Sequence, residues 1–352
     1  MSDPGRNAFA LRTLLAERLQ PEEERRAPAE AWIERASSAG LEHVLDFARR
    51  EGVKPLLAKD LLAEPGDGLP PALRERLEQS LRLARGHHLQ QARMLQEVGE
   101  WLDAADVPHV VFKGPSLAHR LYPEPATRQA TDLDLLVPRD RRDEVLRGFA
   151  SRGYTIHRAA ERDSHECDVL GPAGAIDLHW DLLRPGRLRF DLAARVLTKR
   201  VRRGALWVPR DADLLLLALI HPAITEHVTA RLLKAVDLDL ALRLLAPAWG
   251  ETLETLGRLG LRTAAWAQLT WTRSFFASPL PLEVERTLEP PGWQARYLRT
   301  WLNRDPAAQY PEHRHLVRAG FSLALHDSPL DVMRALGSYA GSPAGWFSRN
   351  HA

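Results

Sequence analysis

Two aspartates two residues apart are the part of this sequence best suited to chemistry. Asp132 and Asp134 alternate with apolar residues in the segment Asp-Leu-Asp-Leu-Leu-Val. On a β-strand successive side chains point to opposite faces, so both carboxylates would share one face. Neighbouring anions repel unless a cation compensates them, and Mg²⁺ prefers oxygen ligands of this kind. The pair indicates a divalent metal site, although an exposed strand with two solvated acids is the plainer alternative.

A third acid occurs in another alternating segment, Ala-Ile-Asp-Leu-His-Trp, where Asp177 and His179 would share a face. The segment follows Gly171-Pro172-Ala173-Gly174, which is typical of a hairpin turn. This strand can lie beside the strand of Asp134, so that three carboxylates share a metal and one accepts a proton from an attacking hydroxyl. His179 would either support that site or be a half-buried polar residue.

A glycine turn lies upstream of the acids. Gly114 directly follows the β-branched segment Val-Val-Phe-Lys and precedes a short helical segment, with Pro115 well placed at a first helical position. Such a turn lets backbone N–H groups approach a phosphate at the start of a helix. An ordinary tight turn is the alternative.

These residues require elements that hold them together. Residues 1–105 show helical periodicity, residues 106–210 alternate strand and helix patterns, and residues 211–352 are helical again. The central order of strand, helix, strand, helix, strand, strand predicts a small mixed sheet with helices on one face. We therefore expect an α+β fold in which N-terminal and C-terminal helical regions flank the α/β core.

Composition excludes several classes of protein. The chain has 352 residues, 45% hydrophobic and 27% charged, which is enough for two or three packed domains. Its longest apolar run, Leu214–Ile220, is far short of the ~20 residues of a membrane span. The single cysteine, Cys167, excludes an internal disulfide, and the first residues lack the apolar core of a signal peptide. A cytoplasmic location without membrane contact is expected.

The net charge of +2 does not suggest that the whole molecule binds polyanions. The stretch 183–210 is nevertheless basic, with nine Lys or Arg residues and one acid, Asp191. It is either a solvated face or a platform for an anionic partner.

Taken together, the motifs resemble a known bacterial family, the uncharacterised nucleotidyltransferases, within the superfamily of DNA polymerase beta and kanamycin nucleotidyltransferase. The resemblance covers about residues 30–245. It is carried by Phe112-Lys113-Gly114-Pro115-Ser116-Leu117-Ala118, Leu121-Tyr122-Pro123, Arg128, Asp132-Leu133-Asp134-Leu135-Leu136-Val137, Gly153-Tyr154, Ile176-Asp177-Leu178-His179-Trp180, Leu217–His221 and Leu233-Lys234-Ala235-Val236-Asp237.

The resemblance implies an enzyme that uses Mg²⁺ or Mn²⁺ to transfer a nucleoside monophosphate from an NTP to a hydroxyl-type acceptor. Asp132 and Asp134 would match the metal-binding pair, and Asp177 the third carboxylate. Gly114 and Ser116 would match the phosphate-binding turn. The wider superfamily has Gly-Gly or Gly-Ser there, whereas here a proline separates the two residues, which leaves the role of the Ser116 hydroxyl open.

Basic residues near these motifs are candidate phosphate contacts. Lys113 borders the glycine turn, and Arg128 precedes the acidic strand, where it would either contact phosphate or neutralise Asp132.

Two further candidates lie in the helical region. Lys234 would either reach a phosphate or pair with Asp237, three residues further along a helix. His221, which precedes Pro222, is likewise a candidate contact to a phosphate.

The sequence leaves the acceptor open: a small molecule, a peptide or protein, or a tRNA. Two other classes compete with nucleotidyl transfer, namely a non-catalytic relative that binds a nucleotide or a partner, and kinase-like phosphoryl transfer from the same site. All three acids are present, which favours an enzyme. Because crowded carboxylates repel, replacing Asp134 with Asn is expected to leave the metal-free protein no less stable.

Overall fold

The computed structural model describes residues 4–25, 28–64, 69–130, 133–157, 165–171, 174–184, 186–226, 231–302 and 314–340. Within them the helices are α1 Pro4–Leu19, α2 Ala29–Ser38, α3 Leu41–Arg50, α4 Lys54–Ala63, α5 Pro71–Ala104, α6 Gly114–Leu121, α7 Arg142–Ser151, α8 Leu192–Thr198, α9 Asp211–Thr225, α10 Leu232–Leu244, α11 Trp249–Leu259, α12 Arg262–Arg273, α13 Leu282–Leu288, α14 Gly292–Leu302, α15 Arg314–Ala324 and α16 Pro329–Ala340. The strands are β1 Val110–Val111, β2 Leu133–Leu136, β3 Thr155–His157, β4 Glu166–Gly171, β5 Gly174–His179, β6 Val201–Arg203 and β7 Leu206–Val208.

Five strands form one mixed sheet in the order β1-β2-β5-β4-β3. Strands β2 and β5 are parallel, and the other neighbours are antiparallel. Gly171 pairs with Gly174 at the end of the β4–β5 hairpin. The expected α+β fold with a small mixed sheet is confirmed, as is the neighbouring position of the two acid-bearing strands.

One face of this sheet is apolar and covered by helices. Leu133 and Leu135 of β2 and Ile176 and Leu178 of β5 are fully buried. They pack with residues of α7 and of the C-terminal half of α5. Because side chains alternate along a strand, the intervening polar residues of β2 and β5 must lie on the opposite face. The alternation seen in the sequence thus divides the sheet into a core face and a polar face.

Helix α5 links this small core to a larger one. Leu73, Leu77 and Leu81 in its first half belong to the larger core, whereas Val98 and Leu102 in its second half belong to the sheet core. Their spacing of four residues keeps each set on one side of the helix. No helix among the residues described is long and apolar enough to span a membrane.

The larger core joins the two ends of the chain. Leu15 and Leu57 from the N-terminal helices lie in the same cluster as Leu219, Leu238 and Trp271 from the C-terminal helices. The division at residues 105 and 210 stays a prediction, but the first and third of those regions share one hydrophobic core.

The basic stretch 183–210 contains α8 and the hairpin of β6 and β7, which the sequence did not indicate. Five of its arginines pair with carboxylates: Arg189–Asp331, Arg195–Asp213, Arg202–Asp103, Arg203–Asp211 and Arg210–Asp213. All of these acids lie outside the stretch, so counting charges only within residues 183–210 overestimates its uncompensated positive charge. This arrangement favours a face engaged with the protein's own acids.

Candidate active site

The polar face of the sheet brings two of the predicted acids together. Asp134 on β2 and Asp177 on β5 are directly opposite in the parallel ladder. One oxygen from each carboxylate and one ring nitrogen of His179 lie within 4.8 Å of one another. Asp132 lies outside the described residues. The structure therefore forms a site from two strands that are 43 residues apart in the sequence.

Asp134 is buried and compensated by cationic and hydrogen-bonding groups. Lys113 Nζ lies 2.6 Å from its Oδ1, and His179 Nε2 lies 3.2 Å from the same atom. Burial alone would raise the pKa of Asp134, but Lys113 and His179 outweigh it and lower that pKa. The contact shows attraction to Lys113 where repulsion between carboxylates was assumed, so we now expect removal of this charge to destabilise the metal-free protein.

The predicted glycine turn lies at the end of β1. Gly114 begins α6 with a φ of +27°, a value that favours glycine. The Lys113 ammonium also lies 4.9 Å from the centre of the Phe112 ring, a cation–π contact. The turn thus presents Lys113 to Asp134, and α6 begins at the next residue.

Ser116 is used within this turn. Its backbone N–H donates to the Lys113 carbonyl at 2.8 Å, and its hydroxyl donates to the same oxygen at 2.9 Å. The side chain is buried. In this structure Ser116 closes the turn, and both of its donors are engaged there.

His179 connects Asp134 to residues that sequence reasoning missed. Its Nδ1 lies 3.5 Å from Glu166 Oε2, and His165 Nε2 lies 3.3 Å from that same oxygen. The His179 ring packs edge-on against Phe112 with centroids 4.9 Å apart. The sequence contained a signal for Glu166. The pairing of Gly171 with Gly174 sets the register of the hairpin, and counting back along β4 in that register places Glu166 opposite His179.

Arg128 makes a different contact from those expected. Its Nε and Nη2 donate to the two carboxylate oxygens of Asp237 at 2.8 and 2.7 Å. Tyr122 also donates its hydroxyl to Asp237, at 2.8 Å. Only 2% of the Arg128 side chain and 3% of the Asp237 side chain are exposed. A buried guanidinium requires a buried partner, so Arg128 ties the α/β core to α10 and is inaccessible to a phosphate.

The same contact overturns the suggested pairing of Lys234 with Asp237. Lys234 Nζ instead lies 3.2 Å from Glu226 Oε1, with about a fifth of its side chain exposed. His221 is buried in α9, and burial lowers its pKa well below the ordinary value, with Lys113 and Lys234 acting in the same direction. The charges of the turn and of α10 therefore both reach His221.

A cavity of about 400 Å³ opens beside the segment that leads into the acidic strand. Its wall includes Arg128 and Ala130, and it extends to α3, α4 and α5. Among the residues described, the charged side chains in the wall are basic, namely Arg49, Lys54, Arg76 and Arg128, and Asp237 already engages the last of these. His87 and His88 also line the wall. Glu42 binds Arg76 from outside this wall. Arg128 and Ala130 of this wall belong to the segment that precedes β2, the strand that carries Asp134.

The mixed sheet, glycine turn and paired strand acids together define a transferase of the nucleotidyltransferase class. Residues 37–277 match the family of uncharacterised nucleotidyltransferases. This match covers more than half of the chain. The chain belongs to this family. No curated protein matches the chain significantly.

Among solved structures, the chain is similar to the antibiotic-resistance factor ANT(2'')-Ia, determined in solution. The identity is 14%, the match covers 48% of this chain and 89% of that one, and the TM-score is 0.36. The family assignment rests on the family match.

Proposed function

We propose that this enzyme transfers a nucleoside monophosphate from an NTP to a hydroxyl-type acceptor with the help of a divalent cation. The observation that carries the proposal is the in-register pairing of Asp134 and Asp177 on one face of the sheet. In this reaction the acceptor oxygen forms a bond to the α-phosphorus and the bond to pyrophosphate breaks. The acceptor proton leaves to a base, a role for which we propose Asp177.

The donor set fits a hard cation such as Mg²⁺ or Mn²⁺. Asp134 and Asp177 offer carboxylate oxygens close enough to share one ion. Asp132 precedes Asp134 by two residues, so strand geometry would place it on the same face, and we propose it as the third ligand. A cation held there would neutralise and orient the triphosphate.

Basic groups around the acids would bind the phosphates. Lys113 is close enough to Asp134 to move between this carboxylate and a phosphate oxygen. The first turn of α6, beginning at Gly114, offers backbone N–H groups and a favourable dipole. Lys234 approaches from the helical region and acts on the same buried His221 as Lys113 does. We therefore assign Lys113, Gly114 and Lys234 to the nucleotide.

The acceptor would enter through the basic cavity. A volume of about 400 Å³ suits a small molecule or one terminal group of a larger one. Lys54 lies half-buried in the wall, at the first turn of α4. These features favour an acceptor that carries a carboxylate or a phosphate near its hydroxyl.

The test is transfer of label to pools of metabolites, peptides and RNA, with Mg²⁺ or Mn²⁺ and each NTP. We expect label from the α-phosphate to appear on the acceptor, and Asp177→Asn to abolish this while Asp143→Asn, at an exposed acid on α7, leaves it unchanged. Label transferred only from the γ-phosphate would show kinase-like chemistry instead. Binding of NTP without transfer to any pool would favour the non-catalytic alternative.

A further inference from the structure

A second group of possible metal ligands lies beside the proposed magnesium site. His165, Glu166 and His179 each offer one donor atom, and these atoms lie within 4.8 Å of one another. Glu166 Oε2 is the central atom, 3.3 Å from His165 Nε2 and 3.5 Å from His179 Nδ1. Both imidazoles are buried, with 5% and 1% of the residue exposed. The two ring centroids are 5.9 Å apart.

The hydrogen bond to Asp134 determines which nitrogen of His179 can bind a metal. A carboxylate can only accept, so Nε2 carries the proton in the 3.2 Å contact with Asp134. In the neutral ring, Nδ1 then carries a lone pair. This Nδ1 is buried and has no hydrogen-bond partner among the residues that the structure describes, and it faces an oxygen of Glu166 that is also an acceptor. In this tautomer the two lone pairs repel each other, and a metal cation bound between them would relieve the repulsion.

We propose that His165, Glu166 and His179 bind a borderline divalent transition metal of the Zn²⁺ type. Two imidazoles and a carboxylate are a known ligand set for Zn²⁺, whereas Mg²⁺ selects oxygen-only sites. Ligating histidines commonly donate their second ring N–H to a carboxylate, which is the contact His179 makes with Asp134. The bound metal would fix the orientation of the His179 ring. Through the hydrogen bond from Nε2, this ring would in turn orient the Asp134 carboxylate.

The position of His165 is consistent with a built site. Its backbone carbonyl accepts hydrogen bonds from the N–H groups of Trp180 and Asp181 at 2.9 and 3.3 Å, which continues the β4–β5 pairing past His179. This holds the bend at residue 165 against the end of β5. Glu166 and His179 thus come from two hydrogen-bonded strands, and His165 from the bend directly before β4. The site does not depend on the proposed transfer reaction.

The experiment uses Co²⁺ as a spectroscopic probe on the chelator-treated full chain, in excess Mg²⁺ to fill oxygen-only sites. We expect one Co²⁺ to bind per chain and to give the visible absorption of a low-coordinate site with nitrogen ligands. Zn²⁺ should displace the bound Co²⁺ and abolish this absorption. Asp177→Asn should retain this spectrum, because Asp177 belongs to the other ligand group. This variant separates failure of the metal proposal from failure of the transfer proposal.

His165→Ala should weaken Co²⁺ binding by about 100-fold or more, since losing even an outer partner of a metal ligand commonly costs 10- to 100-fold. Glu166→Gln preserves size and should do the same if His165→Ala folds poorly. His157→Ala, at an exposed histidine on β3, is the matched control and should bind normally. Zn²⁺ should raise the melting temperature of wild type but not of the two ligand variants. Absence of the visible spectrum in wild type, or its survival in both ligand variants, would overturn the proposal.

Discussion

Replacing Asp134 with Asn tests whether attraction or repulsion dominates the site. The change removes one buried charge and preserves shape, but it leaves the Lys113 ammonium without this carboxylate at 2.6 Å. Losing one partner of a fully buried ion pair costs about 3–5 kcal/mol. Because 17% of the Lys113 side chain is exposed, water would solvate the ammonium group and reduce this cost. We therefore expect the free energy of unfolding to fall by about 2–3 kcal/mol. For a chain of this length that is about 3–4 °C in melting temperature.

The assay is a melting curve of wild type and Asp134→Asn, each with and without Mg²⁺-ATP. The variant should melt earlier without ligand and should lose the stabilisation by ligand. Combining Asp134→Asn with Lys113→Met should cost about 1–2 kcal/mol less than the sum of the single changes, since the two groups interact directly. A single variant as stable as wild type, or additive behaviour of the pair, would refute the compensating role of Lys113.

Two further predictions concern the cavity and pH. Lys54→Met should raise the KM for an anionic acceptor about tenfold. Lys59→Met, on the same helix but outside the cavity wall, should leave this KM unchanged. Equal effects of the two variants on the acceptor KM would contradict an acceptor site in the cavity. Burial and Arg187 lower the pKa of His326 to about 4, so the unfolded chain binds more protons between that value and about 6.5. Stability should therefore fall as pH drops through this window, by up to about 3 kcal/mol, and His326→Gln should flatten the pH profile of denaturant midpoints.

Short sequence patterns predicted the strands and the hairpin of the sheet, because side-chain alternation and turn residues are visible within a few neighbouring positions. Alternation in β2 and β5 identifies the core face, and the glycines at 171 and 174 identify the hairpin. The pairing of β2 with β5 followed from placing like residues on like faces. The hairpin register would also have identified Glu166, had it been counted back from the turn.

The contacts around Arg128 and Lys113 could not be predicted in this way. Arg128 and Asp237 are 109 residues apart, and their pairing depends on how α10 docks on the core. The contact of Lys113 with Asp134 depends on the direction of a flexible side chain at the end of β1. Spacing along one helix suggested Lys234 as the partner of Asp237, but a fully buried arginine needs a carboxylate more strongly than a lysine that is one-fifth exposed.

The ion pair Arg128–Asp237 joins α10 to the α/β core, and the ion pair Lys113–Asp134 lies at the proposed site itself. Arg128 is buried against α10, yet its charge also acts on Asp134. Lys234, on that same helix, acts on His221, which also feels Lys113. A shift of α10 relative to the sheet would therefore change the potential at the acids through both routes.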